Sequence, residues 1–215
     1  MAASSSNVSE SAKDMLQLFE YPSFITICSK RNSGKSFMLE RLVLKDWDKF
    51  DEVVLMSGTV TCDKDEYPYL KWLAKSSKKP MYIGAFNLGV LMGIEARQKK
   101  SPAKHVLIIL DDIIPVLKGP SLQYISNFST VSRHYNMTLI ICLQTANLTF
   151  TPQMRSNVDY LLFSRLTRKM LEYVNEVLQL EKKTLFGLAA DLDDFNFILY
   201  DNHHNHADIR KIHFT

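Results

Sequence analysis

The stretch that most constrains the fold runs from Phe24 to Leu44, FITICSKRNSGKSFMLERLVL. Phe24-Ile25-Thr26-Ile27-Cys28 is β-branched and aromatic, which predicts a buried strand. Met38, Leu39, Leu42 and Val43 then recur at helical spacing. Between them lies Ser29-Lys30-Arg31-Asn32-Ser33-Gly34-Lys35-Ser36. Strand, loop ending Gly-Lys-Ser, helix is the context of a P-loop. In that context Ser29 to Phe37 line a polyphosphate, Lys35 reaches its β- and γ-phosphates, and the Ser36 hydroxyl is a Mg²⁺ ligand. The pattern usually opens with Gly, and here Ser29 stands there. Ser29 either takes a positive φ, at about 1 kcal/mol, or uses a different turn. The bland alternative is a chance Gly-Lys-Ser in an ordinary strand–helix unit.

The chain has 215 residues, 23% charged and 46% hydrophobic, enough for one large α/β domain with a buried core. No apolar run is long enough to span a bilayer. MAASSSNVSESAKD has no apolar core of a secretory signal and reads as a polar arm. The expected division is residues 1–20, arm and short helix, and 21–215, P-loop domain. Cys28, Cys62 and Cys142 are odd in number and lack metal-ligand spacing, so they read as thiols in a reducing, intracellular compartment. A redox role for Cys28 is the sharper alternative. A net charge of +3 permits a nucleic-acid partner without requiring one.

Further strands are predicted at Glu52–Ser57, Met81–Phe86, His105–Leu110, Met137–Leu143 and Val158–Phe163, with a terminal pair at Phe195–Tyr200 and Arg210–Phe214. Helices are expected from Leu70, after an Asn87 cap, over Pro120–Arg133, at Pro152–Asn157, over Thr167–Gln179 and over Glu181–Ala190. Thr59 to Tyr69 is expected to be a loop or lid. The central strands are apolar almost end to end, as parallel strands covered on both faces should be. Alternation with helices predicts a three-layer α/β fold, a mostly parallel sheet ending in a β-hairpin. Right-handed crossovers place all parallel strand C-termini on one edge, where ligands bind. The polar punctuation falls at those ends: Ser29–Ser36, Asp111-Asp112 and Gln144.

Asp111 closes the apolar run Val106–Leu110 and is placed to hold Mg²⁺ opposite Ser36. Asp112, where Glu is commoner, is placed to polarise the attacking water. Alone, the pair could be a helix N-cap. Gln144 can bond both water and γ-phosphate if its strand lies between the P-loop and Asp111 strands; otherwise it is a polar strand end. Charge developing in the transition state calls for an arginine finger. Arg155, Arg133 and Arg165 are candidates against surface ion pairs, with Arg155 of a neighbouring subunit favoured. Arg97, Lys99, Lys100 and Lys104 form either a solvated helix end or a DNA-backbone contact, and Lys118 is a weaker contact candidate. His203-His204-Asn205-His206 has a metal-tract composition but no cysteine near it.

Taken in order, these residues resemble the genome-packaging ATPases of nucleocytoplasmic large DNA viruses and virophages, within the FtsK/HerA superfamily of P-loop DNA translocases. The resemblance rests on Ser29–Ser36, Ile108-Ile109-Leu110-Asp111-Asp112, Arg133-His134-Tyr135-Asn136 before the strand ending at Gln144, Pro152–Asn157 with Asp159, and Phe195–Asp201. It covers nearly the whole chain from Tyr21. It implies an additional-strand (ASCE, RecA-like) core, with the Gln144 strand between the P-loop and Asp111 strands. It implies ATP and Mg²⁺ as ligands, with Lys35, Asp112, Gln144 and Arg155 in hydrolysis and Ser36 and Asp111 on the metal. The implied partners are double-stranded DNA, a capsid vertex or portal-like protein, and further copies of the chain in a ring. The implied location is the virus assembly site in the host cytoplasm, with the virion as a second. Ser29 and Asp112 depart from the commonest superfamily pattern. Two rivals remain at this point: a small-molecule phosphotransferase using Arg165 and Arg168, and a cellular DNA translocase of the same superfamily. A nucleotide switch is disfavoured, since no Asn-Lys-x-Asp motif is present.

Overall fold

The structure, a computed structural model, describes residues 19–59, 66–113, 116–144, 150–190, 192–193, 195–202 and 208–213. The expected N-terminal arm through residue 18, Cys62 and the His203–His206 tract lie outside the described residues. In chain order the elements are β1 (Phe24–Cys28), α1 (Lys35–Lys45), β2 (Glu52–Ser57), α2 (Pro68–Ser76), β3 (Met81–Gly84), α3 (Leu88–Lys100), β4 (Val106–Asp111) and α4 (Pro120–Val131). There follow β5 (Met137–Leu143), α5 (Pro152–Ser156), β6 (Tyr160–Phe163), α6 (Arg168–Leu178), α7 (Lys182–Ala190), β7 (Asn196–Asp201) and β8 (Asp208–His213).

The strands form one sheet in the order β3-β2-β4-β5-β1-β6-β7-β8. The first six run parallel, and β7 and β8 add an antiparallel hairpin. Alternate side chains of the central strands serve two separate cores. Ile25, Ile27, Val53, Leu55, Leu107 and Ile109 pack under α1 and α2. Phe24, Cys28, Val54, Ile108, Leu139 and Ile141 pack under α3 to α7. This is the expected three-layer architecture, and both faces are apolar because both are covered. Phe19 joins the first core, 2% exposed and edge-on to Tyr160.

Local chemistry accounts for where elements start and stop. The Asn87 side chain accepts from the Val90 N–H at 3.2 Å and caps α3 as expected. Thr151 and Thr167 cap α5 and α6 in the same way. α2 starts at Pro68, earlier than expected, because proline is preorganised for a first helical position. α4 gives way to a 3₁₀ turn over Ser132–Tyr135, which ends where Asn136 turns left-handed at φ 55°. β6 starts at Tyr160 rather than Val158. Asp159 is spent on a staple instead: its carboxylate accepts from the Phe24 N–H at 2.7 Å and pairs with Arg133.

Candidate nucleotide-hydrolysis site

The parallel strands β1, β5 and β4 end side by side. Leu143 pairs with Cys28, and the Ser29 N–H donates to the Leu143 carbonyl at 3.0 Å, extending the ladder to the mouth of the loop. Ser29 is absent from the positive-φ residues, so the missing glycine costs no left-handed strain there. The sharp turns fall instead at Asn32, φ 61°, and Gly34, φ 84°. The first turn of α1 has no side-chain cap and no acidic residue, leaving its leading N–H groups for an anion. The Ser29 hydroxyl is buried without a hydrogen-bond partner among the described residues, a further polar group at the loop.

Lys35 and Asp111 form a buried ion pair, 6% and 1% exposed. Burial opposes the Lys35 ammonium, but nearby acidic groups, Asp111 and Asp112 among them, outweigh it and raise its pKa. Lys35 is therefore charged at every working pH. The other Asp111 oxygen accepts from the Tyr67 hydroxyl, and nearby Ser36 acts to lower the pKa of that hydroxyl. Burial, then the Asp111 charge, pushes the Tyr67 phenol well up, so it stays a donor. Tyr67 is 1% exposed and left-handed, φ 56°. Glu40 of α1 fixes it by accepting from the N–H groups of Tyr69 and Leu70, at 3.0 and 3.1 Å. Tyr67 was hidden in the sequence inside a segment read as a loop. The readable signal was Tyr-Pro ahead of a helical run, which tells of a helix start and nothing of its hydroxyl.

Asp112 is half-buried at φ 50°, and its charge is felt at Lys35. The next α-helix among the described residues, α4, begins only at Pro120. Gly58, at the end of β2, allows this conformation: a Cβ there would lie 2.4 Å from the Asp112 carbonyl oxygen. Gln144, half-buried, follows β5 directly, and β5 does lie between β1 and β4. The geometric condition set for its sensing role is met.

The arginines sort by sheet edge. Arg133 precedes β5 and pairs with Asp159 at the strand N-termini, opposite this chain's own loop. Arg155 is also engaged within the chain. It pairs with Glu176 at 2.8 Å, donates to the Phe150 carbonyl and lies 4.8 Å over the Tyr173 ring, with only 15% of its side chain exposed. Within the single chain Arg155 is thus held against α6. Arg165 follows β6, which pairs with β1, so it stands at the loop edge; it is exposed, with no ion pair among the described residues. The basic set splits too. Arg97 pairs with Glu52 at 2.6 Å and Lys99 with Glu95 at 2.7 Å. Lys100 and Lys104 are exposed on the segment entering β4, at the far edge, whereas exposed Lys118 follows β4 at the loop edge. They cannot form one patch.

Cys28 and Cys142 are free, buried thiols. Burial pushes Cys28 up to about 12 and Cys142 well above the usual thiol value, so neither is a thiolate and the redox alternative for Cys28 falls. Among the described residues no helix is long and apolar enough to cross a membrane.

A family model described as "Poxvirus A32 protein" matches residues 11–193. This chain belongs to the poxvirus A32 protein family. The family match takes in the loop, Tyr67, both aspartates, Gln144 and all three arginines. The search of curated proteins found no sequence match. Among solved structures, the fold is similar to B204, the DNA-packaging ATPase of Sulfolobus turreted icosahedral virus, with TM-score 0.65 and 15% identity over 89% of this chain and 98% of that one. B204 from Sulfolobus turreted icosahedral virus 2, in complex with ATP-gammaS, matches with TM-score 0.62 and 13% identity over 90% and 98%. The pCW3 conjugation coupling protein TcpA matches with TM-score 0.63 and 15% identity over 88% and 59%. At these identities the likeness establishes the P-loop ATPase fold of this A32-family chain.

Proposed function

We propose that this A32-family chain is the ATP-hydrolysing motor that drives viral double-stranded DNA into a preformed capsid. The observation that carries it is the strand order β4-β5-β1, which brings Asp111-Asp112, Gln144 and Lys35-Ser36 to three adjacent strand ends. A water-activating carboxylate set one strand away from the P-loop strand suits hydrolysis. A phosphotransferase would place its acceptor-activating Asp on the strand next to the loop. The packaging ATPase B204 and its ATP-gammaS complex support the same reading through shared fold.

In this reading the phosphates lie along Ser29–Ser36 and Lys35 turns from Asp111 to the β- and γ-oxygens. Ser36 and Asp111 are hard oxygen donors, and they fit Mg²⁺, which takes few protein ligands. When bound, that ion neutralises charge on the β- and γ-phosphates. Such an ion would compete with the Tyr67 hydroxyl for Asp111, and Glu40 ties the start of Tyr67's helix α2 to α1. Asp112 takes the proton of the attacking water, and Gln144 reads the presence of the γ-phosphate. Arg165, in place of Arg155, reaches a neighbour's nucleotide in a ring of identical subunits.

DNA passes through that ring against exposed lysines, with Lys100 and Lys104 on one rim and Lys118 on the other. A capsid-vertex protein receives it at the assembly site in the infected cell. The test is ATP turnover with and without double-stranded DNA, measured alongside oligomer mass. DNA-stimulated turnover by an oligomer is expected; a monomer indifferent to DNA would overturn the motor reading. A translocase moving DNA elsewhere, as a coupling protein does, shares the chemistry and is separated by capsid association.

A further inference from the structure

Phe195 is the residue at the loop edge that the hydrolytic reading leaves unused. It precedes β7, and because β7 runs antiparallel to β6, its start lies at the C-terminal end of β6, next to the P-loop strand. Phe195 takes φ 62°, uncommon for a bulky side chain. The ring stands over the loop itself: a Cβ on Gly34 would lie 2.5 Å from its Cδ1. Phe37, the residue after Ser36, meets it edge-on, with centroids 6.0 Å apart and planes at 82°. Arg41 in turn sits 5.0 Å over the Phe37 ring. A Phe195–Phe37–Arg41 stack is thus built onto the first turns of α1, yet Phe195 remains 44% exposed.

Strained backbone holding an exposed ring against a phosphate loop suggests a ligand for that ring. Resting on the nucleotide-binding reading above, we infer that Phe195, braced by Phe37 and Arg41, is the platform on which the base of the bound nucleoside triphosphate stacks. A π-face is offered without a hydrogen-bonding edge, so the platform takes purines of either kind and holds smaller pyrimidines less well. Gly34 then has two tasks: its left-handed turn shapes the loop, and its missing side chain lets the ring approach.

The experiment compares ATP with inorganic tripolyphosphate, which carries the phosphates without the base. Wild-type protein should bind ATP more tightly than tripolyphosphate. Phe195→Ala should weaken ATP about tenfold, in keeping with the loss of one base–aromatic stack, and leave tripolyphosphate unchanged. Phe195→Trp should keep ATP affinity and show indole emission quenched by ATP and not by tripolyphosphate. Unchanged ATP affinity in Phe195→Ala overturns the inference. An equal loss for both ligands also overturns it, because the ring would then only prop the loop. Wild-type protein that binds neither ligand removes the nucleotide reading itself, a result distinct from either failure.

Discussion

Lys35–Asp111 and Arg133–Asp159 are cation–carboxylate pairs at opposite edges of one sheet. Both look like structural pairs, and only one is built to stay closed. Asp159 also accepts from the Phe24 N–H, while its own N–H donates to the Phe24 carbonyl and Arg133 reaches Asn157 at 3.4 Å. Those partners are backbone and neighbouring side chains that fix where β1 and β6 begin. Asp111 instead is held by Lys35 and Tyr67, two side chains that a triphosphate and its metal would replace in the proposed reading. The difference comes from sheet polarity. Strand C-termini carry the open helix N-terminus and the loop amides, so in the proposed reading a pair placed there is the resting state of a ligand site.

Variants that separate the edges test this contrast. The largest effect is expected for Arg165→Ala, which should lower DNA-stimulated turnover by about 10³–10⁵ with unchanged melting temperature, the range for a lost arginine finger. Activity should return on mixing with a Lys35→Ala partner; unchanged turnover in the variant would return Arg165 to an ordinary surface residue. Asp112→Asn comes next, at about 10²–10⁴ in kcat with nucleotide affinity kept, the usual worth of a positioned base. A kcat within twofold of wild type would remove Asp112 as the base.

At the other edge the expected currency is stability. Arg133→Ala should cost about 2 kcal/mol, between a fully buried pair and a surface one, because Arg133 is 26% exposed and Asp159 10%. That corresponds to a fall of roughly 4–8 °C in melting temperature for a domain of this size. A calorimetric trace identical to wild type would mean the staple holds nothing.

The smallest effect concerns His105, at the start of β4. Its ring bonds the Lys49 carbonyl and Thr138, and burial lowers its pKa below the ordinary 6.5. A buried imidazole kept neutral contributes fully above that ordinary value, and the folded state loses ground as pH falls below it. Melting temperature should therefore drop slightly between pH 7.5 and 5.5, and His105→Gln should flatten that slope. An unchanged slope would show that other groups set it.

The parallel sheet was legible because its strands are apolar end to end and its polar residues gather where strands stop. Lys35, Ser36, Asp111, Asp112 and Gln144 were readable for the same reason, as each is placed by a strand end. Tyr67 and Phe195 were not. Each arrives from an irregular segment, and each takes a left-handed backbone that no local pattern announces. The contacts of the arginines were not legible for a related reason. Sequence spacing puts Arg155 near Gln144, but a partner from α6, Glu176, claims it across the helical layer. Charge partners of that kind are tertiary facts. Ser29 shows the reverse case, an apparent defect that disappears once Asn32 and Gly34 are seen to make the turn.

The most direct measurement sets Lys35→Ala beside Arg133→Ala in DNA-stimulated ATP turnover, below the melting temperature of both. Lys35→Ala should be folded and inactive, and Arg133→Ala less stable and nearly as active as wild type. Turnover that survives in Lys35→Ala, or that vanishes in folded Arg133→Ala, would contradict the assignment of the motor site to the C-terminal edge of the sheet.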